Sequence, residues 1–254
     1  MLTAITRQVS PSINKCELTH LERQPIDLAI AKNQHENYVN ILRSLGIKVI
    51  CLPAEADLPD SVFVEDTAVV LDEIAMITRP GADSRRPETV STASALSAFR
   101  KLEFIKSPAT LDGGDVLVIG KSIFIGLSSR SNPMALKQMQ NTLSPYGYHI
   151  TGVEISGCLH LKSAVTQIAE KTLLINPKWV EENSFAGMNF IEVDESEPYS
   201  ANALLVGTSV VFPTAYPKTQ QRLKAAGINT IPIDVSELAK AEGGVTCCCL
   251  IFKS

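Results

Sequence analysis

The stretch GGDVLVIG at residues 113–120, followed one residue later by SIFIGLSSR at 122–130, decides how this chain is read. Two short apolar runs rich in β-branched residues flank a glycine step, which predicts two strands joined by a tight turn. The layout recurs along the chain. VFVEDTAVV (62–70) precedes AMITRPG (75–81), LKSAVTQIA (161–169) precedes TLLINP (172–177), and ANALLVG (201–207) precedes SVVFPTAYP (209–217). Each pair leads into a polar loop and then a helix or bend, so the chain is an internal repeat in layout with little residue identity. The last run, GVTCCCLIF (244–252), reads as a strand opening a fifth unit, which TAITRQV (3–9) would complete by closing the ring.

Between the strand pairs, helices are expected near Pro25–Leu45, Glu88–Arg100, Pro133–Leu143 and Pro217–Ala226. In the first, Ile26, Ile30, Ile41, Leu42 and Leu45 share helical spacings, and Gly46 supplies the stop. The expected class is therefore α/β, built of strand-strand-helix-strand units. No linker, charge block or low-complexity tract marks a boundary, so residues 1–254 are read as one catalytic domain.

A polar residue stands where each repeat's first strand is expected to start: Asp66, Asp112, His160, Asn202 and Cys247, spaced 46, 48, 42 and 45 residues apart. Units arranged about an axis would bring these positions together at one end. A cysteine beside a histidine and an orienting carboxylate is a nucleophile with its proton shuttle. The thiolate is the attacking form, and a neighbouring cation is expected to lower the thiol pKa. Glycines at 113–114 and 243–244 allow close backbone approach beside these residues. Taken singly each residue has a plainer explanation: Cys247 as a small buried hydrophobe, His160 as a structural histidine, Asp112 as a turn residue, Glu65 and Asp66 as a solvated pair. Only their common spacing favours chemistry.

Composition bounds the function. A net charge of −4 argues against a dedicated nucleic-acid partner. There is no apolar run of the ~18 residues a membrane span needs, and the N-terminus lacks a signal-peptide core, so a cytoplasmic location is expected. Cys16, Cys51 and Cys158 are isolated, Cys247, Cys248 and Cys249 are adjacent, and no CxxC pair exists. Free thiols are the expectation.

Six motifs in order, FVEDTAVV, ITRPGADSRRPE, LDGGDVLVIG, LHLKS, SANALLV and GGVTCC, resemble the dimethylarginine dimethylaminohydrolases of the guanidine-modifying superfamily. The resemblance runs from about Leu18 to the C-terminus. It implies the pentein fold, a five-bladed, pseudo-fivefold α/β propeller. It also implies hydrolysis of N-omega-methylated arginines to L-citrulline and dimethylamine or methylamine through a thiouronium on cysteine. By that resemblance Cys247 is the nucleophile, His160 the acid and base, and Asp112 the residue that orients His160. Asp66 would hold the guanidinium with Glu65 in support, Arg85 and Arg130 the α-carboxylate, Asp60 the α-ammonium, and Leu18 would lie in the covering loop. No metal or organic cofactor is implied, with Zn²⁺ only as an adventitious inhibitor. The expected partner is the small-molecule substrate, on a monomer or homodimer.

Arginine deiminases of the superfamily carry an aspartate two residues after the histidine, where this chain has Lys162. A dimethylated nitrogen has no N–H for a second carboxylate, so this departure favours a methylated substrate over arginine. Arginine deimination is the nearest alternative. A non-catalytic binding relative has no reason to keep Cys, His and acid at converging positions. A redox or zinc sensor would need all three adjacent cysteines equally.

Overall fold

Asp27 decides where the first helix begins. Its carboxylate accepts the N–H groups of Ala29 (2.9 Å) and Ile30 (3.1 Å), an N-cap that starts α1 at Leu28 rather than Pro25. The helix runs Leu28–Ser44 and buries Ala31, Gln34, His35, Tyr38, Val39 and Leu42, while Ile30 is 46% exposed. The buried face is therefore one residue round from the stripe that the isoleucines suggest. Tyr38, fully buried on α1, explains the difference: its hydroxyl donates to the carbonyl of Val245 at 2.7 Å, and that bond orients the helix.

The computed structural model describes all 254 residues, with strands β1 Leu2–Arg7, β2 Lys48–Leu52, β3 Ala68–Val70, β4 Ile74–Ile77 and β5 Lys101–Phe104. There follow β6 Val116–Ile119, β7 Ser122–Leu127, β8 His149–Glu154, β9 Val165–Ala169 and β10 Thr172–Ile175. The last five are β11 Asn189–Glu192, β12 Leu204–Val206, β13 Ser209–Pro213, β14 Asn229–Ile233 and β15 Leu250–Lys253. They form five three-stranded sheets of one design. The middle strand pairs antiparallel with the strand before it and parallel with the strand after it: Val116 faces Ile125, and Ser122 faces His149. A parallel return needs a crossover, which a helix supplies in four units. These are α1, α2 Glu88–Leu96, α3 Pro133–Leu143 and, in chain order after the short α4 Leu161–Ala164, α5 Pro217–Ala225. In the unit of β9, β10 and β11 the crossover carries only a 3-10 turn, Glu182–Ser184. The second helix is shorter than its sequence suggested, ending at Leu96 instead of Arg100.

The ring closes as the repeat predicts. β15 from the C-terminus pairs antiparallel with β1, Leu2 opposite Lys253, and β1 pairs in parallel with β2. Residues of all five opening strands, β3, β6, β9, β12 and β15, line one axial cavity of about 290 Å³. Apolar clusters fill the space between sheets and helices; Ile5, Ile77, Leu96 and Leu250, for example, join two units. Burying each such side chain stabilises the ring by roughly 1.5–3 kcal/mol. This is a five-bladed α/β propeller. No helix is long and apolar enough to cross a membrane.

One element departs from the sequence reading. GVTCCCLIF is not a continuous strand: residues 245–248 form a turn, and β15 starts only at Leu250. The alternation that would place Cys247 and Cys249 on one face of a strand therefore does not apply.

Candidate active site

A similar departure holds in three other units. Asp66 lies in the 3-10 turn Val64–Thr67, Asp112 precedes the turn Gly113–Asp115, and His160 is the N-cap of α4. Asp66, Asp112 and His160 therefore sit on or immediately before helical turns that lead into the strands, whereas Asn202 lies in the short irregular stretch before β12. A turn, unlike a strand start, leaves backbone N–H groups free to bond a neighbour.

Those groups, together with the Asn202 side-chain amide, stitch the five units head to tail around the axis. Glu65 N–H donates to the Cys247 carbonyl (3.1 Å), and Gly114 N–H to Asp66 Oδ1 (2.8 Å). Leu161 N–H donates to Asp115 Oδ1 (2.9 Å), and Asn202 Nδ2 to the Lys162 carbonyl (3.0 Å). Thr246 N–H then closes the circle on Asn202 Oδ1 at 3.1 Å. The contacts need glycine: a Cβ on Gly113 would stand 1.9 Å from the Glu65 carbonyl oxygen, and one on Gly114 2.7 Å from His160 Nδ1.

His160, 6% exposed, is held between two acids. Its Nε2 is 3.0 Å from Asp112 Oδ2, and its Nδ1 is 3.9 Å from Asp66 Oδ1. Burial alone would depress the imidazole pKa, but the charge of Asp66, the bond to Asp112 and the nearby Asp115 overcome it and raise it to about 9. At neutral pH the ring is an imidazolium. Asp66 is fully buried, which disfavours its charge, yet His160, Arg85 and the Gly114 N–H hold it below the usual carboxylate range. Asp112 is fixed in turn by the Gly81 N–H on Oδ1 at 2.8 Å.

Cys247 opens on the same small cavity, of about 20 Å³, as His160, Asp66, Asp60, Arg85 and Arg130. Its Sγ accepts the Gly244 N–H at 3.3 Å. The expectation of a cation that acidifies the thiol is not met. Burial, followed by the charges of Glu65 and Asp66, pushes it up to about 12, and neither the Gly244 N–H nor the more distant Lys162 offsets them. Cys248 and Cys249 are buried; Cys249 Sγ lies 3.0 Å from the Tyr38 hydroxyl.

Two expected substrate ligands are already engaged. Glu65 turns away from the cavity to the axial channel, where Oε1 meets Lys162 Nζ at 2.5 Å and Oε2 accepts the Thr246 hydroxyl at 2.8 Å. It supports the ring and does not face Cys247. Arg85, 5% exposed, uses all three nitrogens internally: on both Glu88 oxygens (3.2 and 2.8 Å), on Asp66 Oδ2 (2.5 Å), and on the Asp60 and Phe63 carbonyls. It is not an open anion binder in this conformation, because it neutralises buried carboxylates. Arg130 is freer. It bonds Thr19 Oγ1 at 3.2 Å, and its Nη1 lies 4.0 Å from Asp112. Asp60 is buried and accepts the Glu17 N–H at 3.1 Å; burial raises its pKa despite Arg85. Leu18 is half-buried in the loop over this end, packed against the core cluster that contains Phe63.

Asp115 was not anticipated. It accepts the hydroxyls of Ser128 and Ser131, both at 2.6 Å, besides the Leu161 N–H, and burial lifts its pKa to about 6. Its position three residues after Asp112, and the serines of the following SSRS, were the available signal. Asp66, Asp112 and His160 also offer three donor atoms within 4.8 Å of one another, a set able to take a metal ion.

The chain is similar to known proteins over nearly its whole length. Residues 6–252 match a family model described as N,N dimethylarginine dimethylhydrolase, eukaryotic. An N(G),N(G)-dimethylarginine dimethylaminohydrolase of Pseudomonas aeruginosa is 36% identical over 228 residues, 89% of this chain and 90% of its own length. One of Streptomyces coelicolor is 36% identical over 245 residues, 96% and 94% of the two chains. Among solved structures, the Pseudomonas aeruginosa enzyme complexed with citrulline superposes with a TM-score of 0.94 at 34% identity, over 98% of both chains.

Proposed function

The chain belongs to the dimethylarginine dimethylaminohydrolase family, and from that premise we propose that it hydrolyses N-omega-methylated arginines to L-citrulline and a methylamine. The observation that carries the reading is one small cavity holding a neutral thiol, Cys247, beside an imidazolium, His160, that two acids keep charged.

The charge states fix the order of events. A guanidinium bound at Asp66 brings a positive charge next to Cys247, which supplies the acidifying cation the free protein lacks. The thiol gives its proton to solvent and the thiolate attacks the central carbon, forming an S–C bond. His160, already protonated, donates to the methylated nitrogen as the C–N bond breaks, and dimethylamine leaves. The neutral imidazole then takes a proton from water as its oxygen adds to the thiouronium carbon. Collapse breaks the C–S bond, returns the thiol and leaves the urea of citrulline. Asp112 holds the ring in one tautomer through both transfers.

In the binding frame, Asp66 receives the guanidinium and Asp60 the α-ammonium. Arg130 takes the α-carboxylate, where a forked guanidinium suits two oxygens. Arg85 joins it only after the substrate's charge replaces its own at Asp66. Leu18 covers the site, and Glu65 acts through the ring of turns. A zinc ion on Asp66, Asp112 and His160 would tie up the proton shuttle, so it would inhibit.

Lys162 supports methylarginine over arginine. Its ammonium is committed to Glu65, so one carboxylate, Asp66, remains to grip the guanidinium. A panel of arginine, monomethylarginine and asymmetric dimethylarginine, scored as citrulline, tests this. Both methylated substrates are expected to exceed arginine in kcat/KM; faster turnover of arginine would overturn the assignment.

The thiol carries a pH prediction. In the free protein, alkylation of Cys247 by iodoacetamide is expected to climb roughly tenfold per pH unit from about pH 7 to 10. With a pKa of about 12 it cannot level off in that window. A plateau near pH 8 would mean that the acids around Cys247 do not hold its proton.

A further inference from the structure

Glu242 has no part in the reaction derived above, yet its geometry is singular. It is the one non-glycine residue with positive φ, at 58°, a conformation that costs an L-residue steric strain. Its Oε1 accepts three consecutive backbone N–H groups, from Thr19 (3.0 Å), His20 (2.5 Å) and Leu21 (2.7 Å). Those donors lie 221 to 223 residues away, in the loop that also carries Leu18. Successive N–H groups converging on one anionic oxygen form an anion-binding nest, and here the anion is a side chain of the same protein.

The segment that bears Glu242 also bears the thiol. Gly243 and Gly244 follow directly, and Gly244 N–H donates to Cys247 Sγ. Gly243 packs so closely on Phe63 that a Cβ there would lie 2.2 Å from the ring. Glu242 itself lines the cavity with Cys247 and His160. The loop's other ties are scattered over separate partners: Glu17 N–H donates to Asp60, Arg130 Nη2 to Thr19 Oγ1, and Ser84 Oγ to Glu17.

We propose that Glu242 is the latch of the covering loop, a positioning residue whose carboxylate holds residues 19–21 down over Cys247 when the site is closed. As the assignment of that site to methylarginine hydrolysis is the proposed function, the latch rests on that reading for its purpose, though not for its geometry. A cavity of about 20 Å³ admits little more than one water, so an arginine-sized ligand enters only after the loop lifts. Release has compensation built in. Glu242 Oε2 is buried without a hydrogen-bond partner, and the residue is strained, so lifting the loop rehydrates that oxygen and lets the backbone relax. Three charge-assisted bonds against an unsatisfied oxygen and a strained φ make a latch that closes firmly enough to retain the substrate and still opens in each cycle.

The experiment reads loop opening without using the substrate. Peptide mass spectrometry follows iodoacetamide alkylation of each cysteine in wild type, Glu242→Ala and Glu242→Gln. Losing the three bonds is expected to speed Cys247 alkylation in Glu242→Ala by roughly tenfold or more. Glu242→Gln, which keeps an acceptor oxygen without the charge, should fall between. Cys158 and Cys248, both buried, should stay at wild-type rates. In parallel, KM for asymmetric dimethylarginine should rise by about tenfold in Glu242→Ala with a smaller change in kcat, the split expected of a gate. Should Glu242→Ala expose Cys158 and Cys248 and so be misfolded, Glu242→Gln decides alone. Wild-type alkylation of Cys247 in whichever folded variant is read would overturn the latch. Failure of wild type to turn over methylarginines, with the alkylation shift present, would instead overturn the functional reading and leave the latch standing.

Discussion

Replacing Cys247 with serine is expected to reduce turnover of asymmetric dimethylarginine by on the order of 10³-fold or more, with no covalent adduct trapped on the protein. A hydroxyl in this site stays protonated even with a guanidinium beside it, because its intrinsic pKa lies far above that of a thiol. The two following cysteines behave differently. Cys249→Ser and Cys248→Ser should retain most of the turnover and lose stability instead, by about 1–3 kcal/mol each for a more polar group placed in a buried site. That corresponds to a fall in melting temperature of roughly 2–4 °C per kcal/mol for a chain of this size. Activity assays and thermal melts on the three single variants check the division. An adduct on Cys248 or Cys249, or equal activity losses in all three variants, would sink the assignment of Cys247.

His160→Gln should cost about 10²–10⁴ in kcat, the usual range for a positioned proton shuttle. The residue acts twice, so the two steps should separate with a substrate analogue whose leaving group needs no proton. An S-alkylthiourea analogue of arginine expels a thiol, and the variant should still form the covalent thiouronium with it. That adduct should persist, since no base remains to activate water, and mass spectrometry would find it on Cys247. Asp112→Asn should give a smaller loss of the same kind. It leaves the ring in place and removes part of the charge that raises the His160 pKa to about 9, so the basic limb of the pH–rate profile should move to lower pH. An unchanged profile in Asp112→Asn would mean that Asp66 and Asp115 set the protonation of His160 without Asp112.

Much of the site could be read before any coordinates. The recurrence of Asp66, Asp112, His160 and Cys247 at nearly equal spacing is a property of the chain, and a ring of equal units turns equal spacing into convergence. The strand pairs, ring closure by the N-terminal strand, and the glycines at 113–114 were legible for the same reason, since strand period and turn chemistry are local. The first helix was legible in extent but not in orientation: the isoleucine stripe was the obvious apolar face, and the Tyr38 bond to Val245, over 200 residues away, outweighed it. The cysteine triplet misled for a related reason. Its apolar composition suits a strand, but the neighbouring turns need its backbone to be a turn as well.

Sequence alone pointed to the repeat, the closure of the ring and the convergence of Asp66, Asp112, His160 and Cys247, through order and spacing along the chain, and the family resemblance supplied their roles. Tertiary structure decided their charge states and their allegiances. Glu65 goes to Lys162, Arg85 goes to Asp66 and Glu88, and Cys247 keeps its proton among acids. Electrostatic energy depends on distance and on exclusion of water, and both arise only when residues far apart in sequence are packed together.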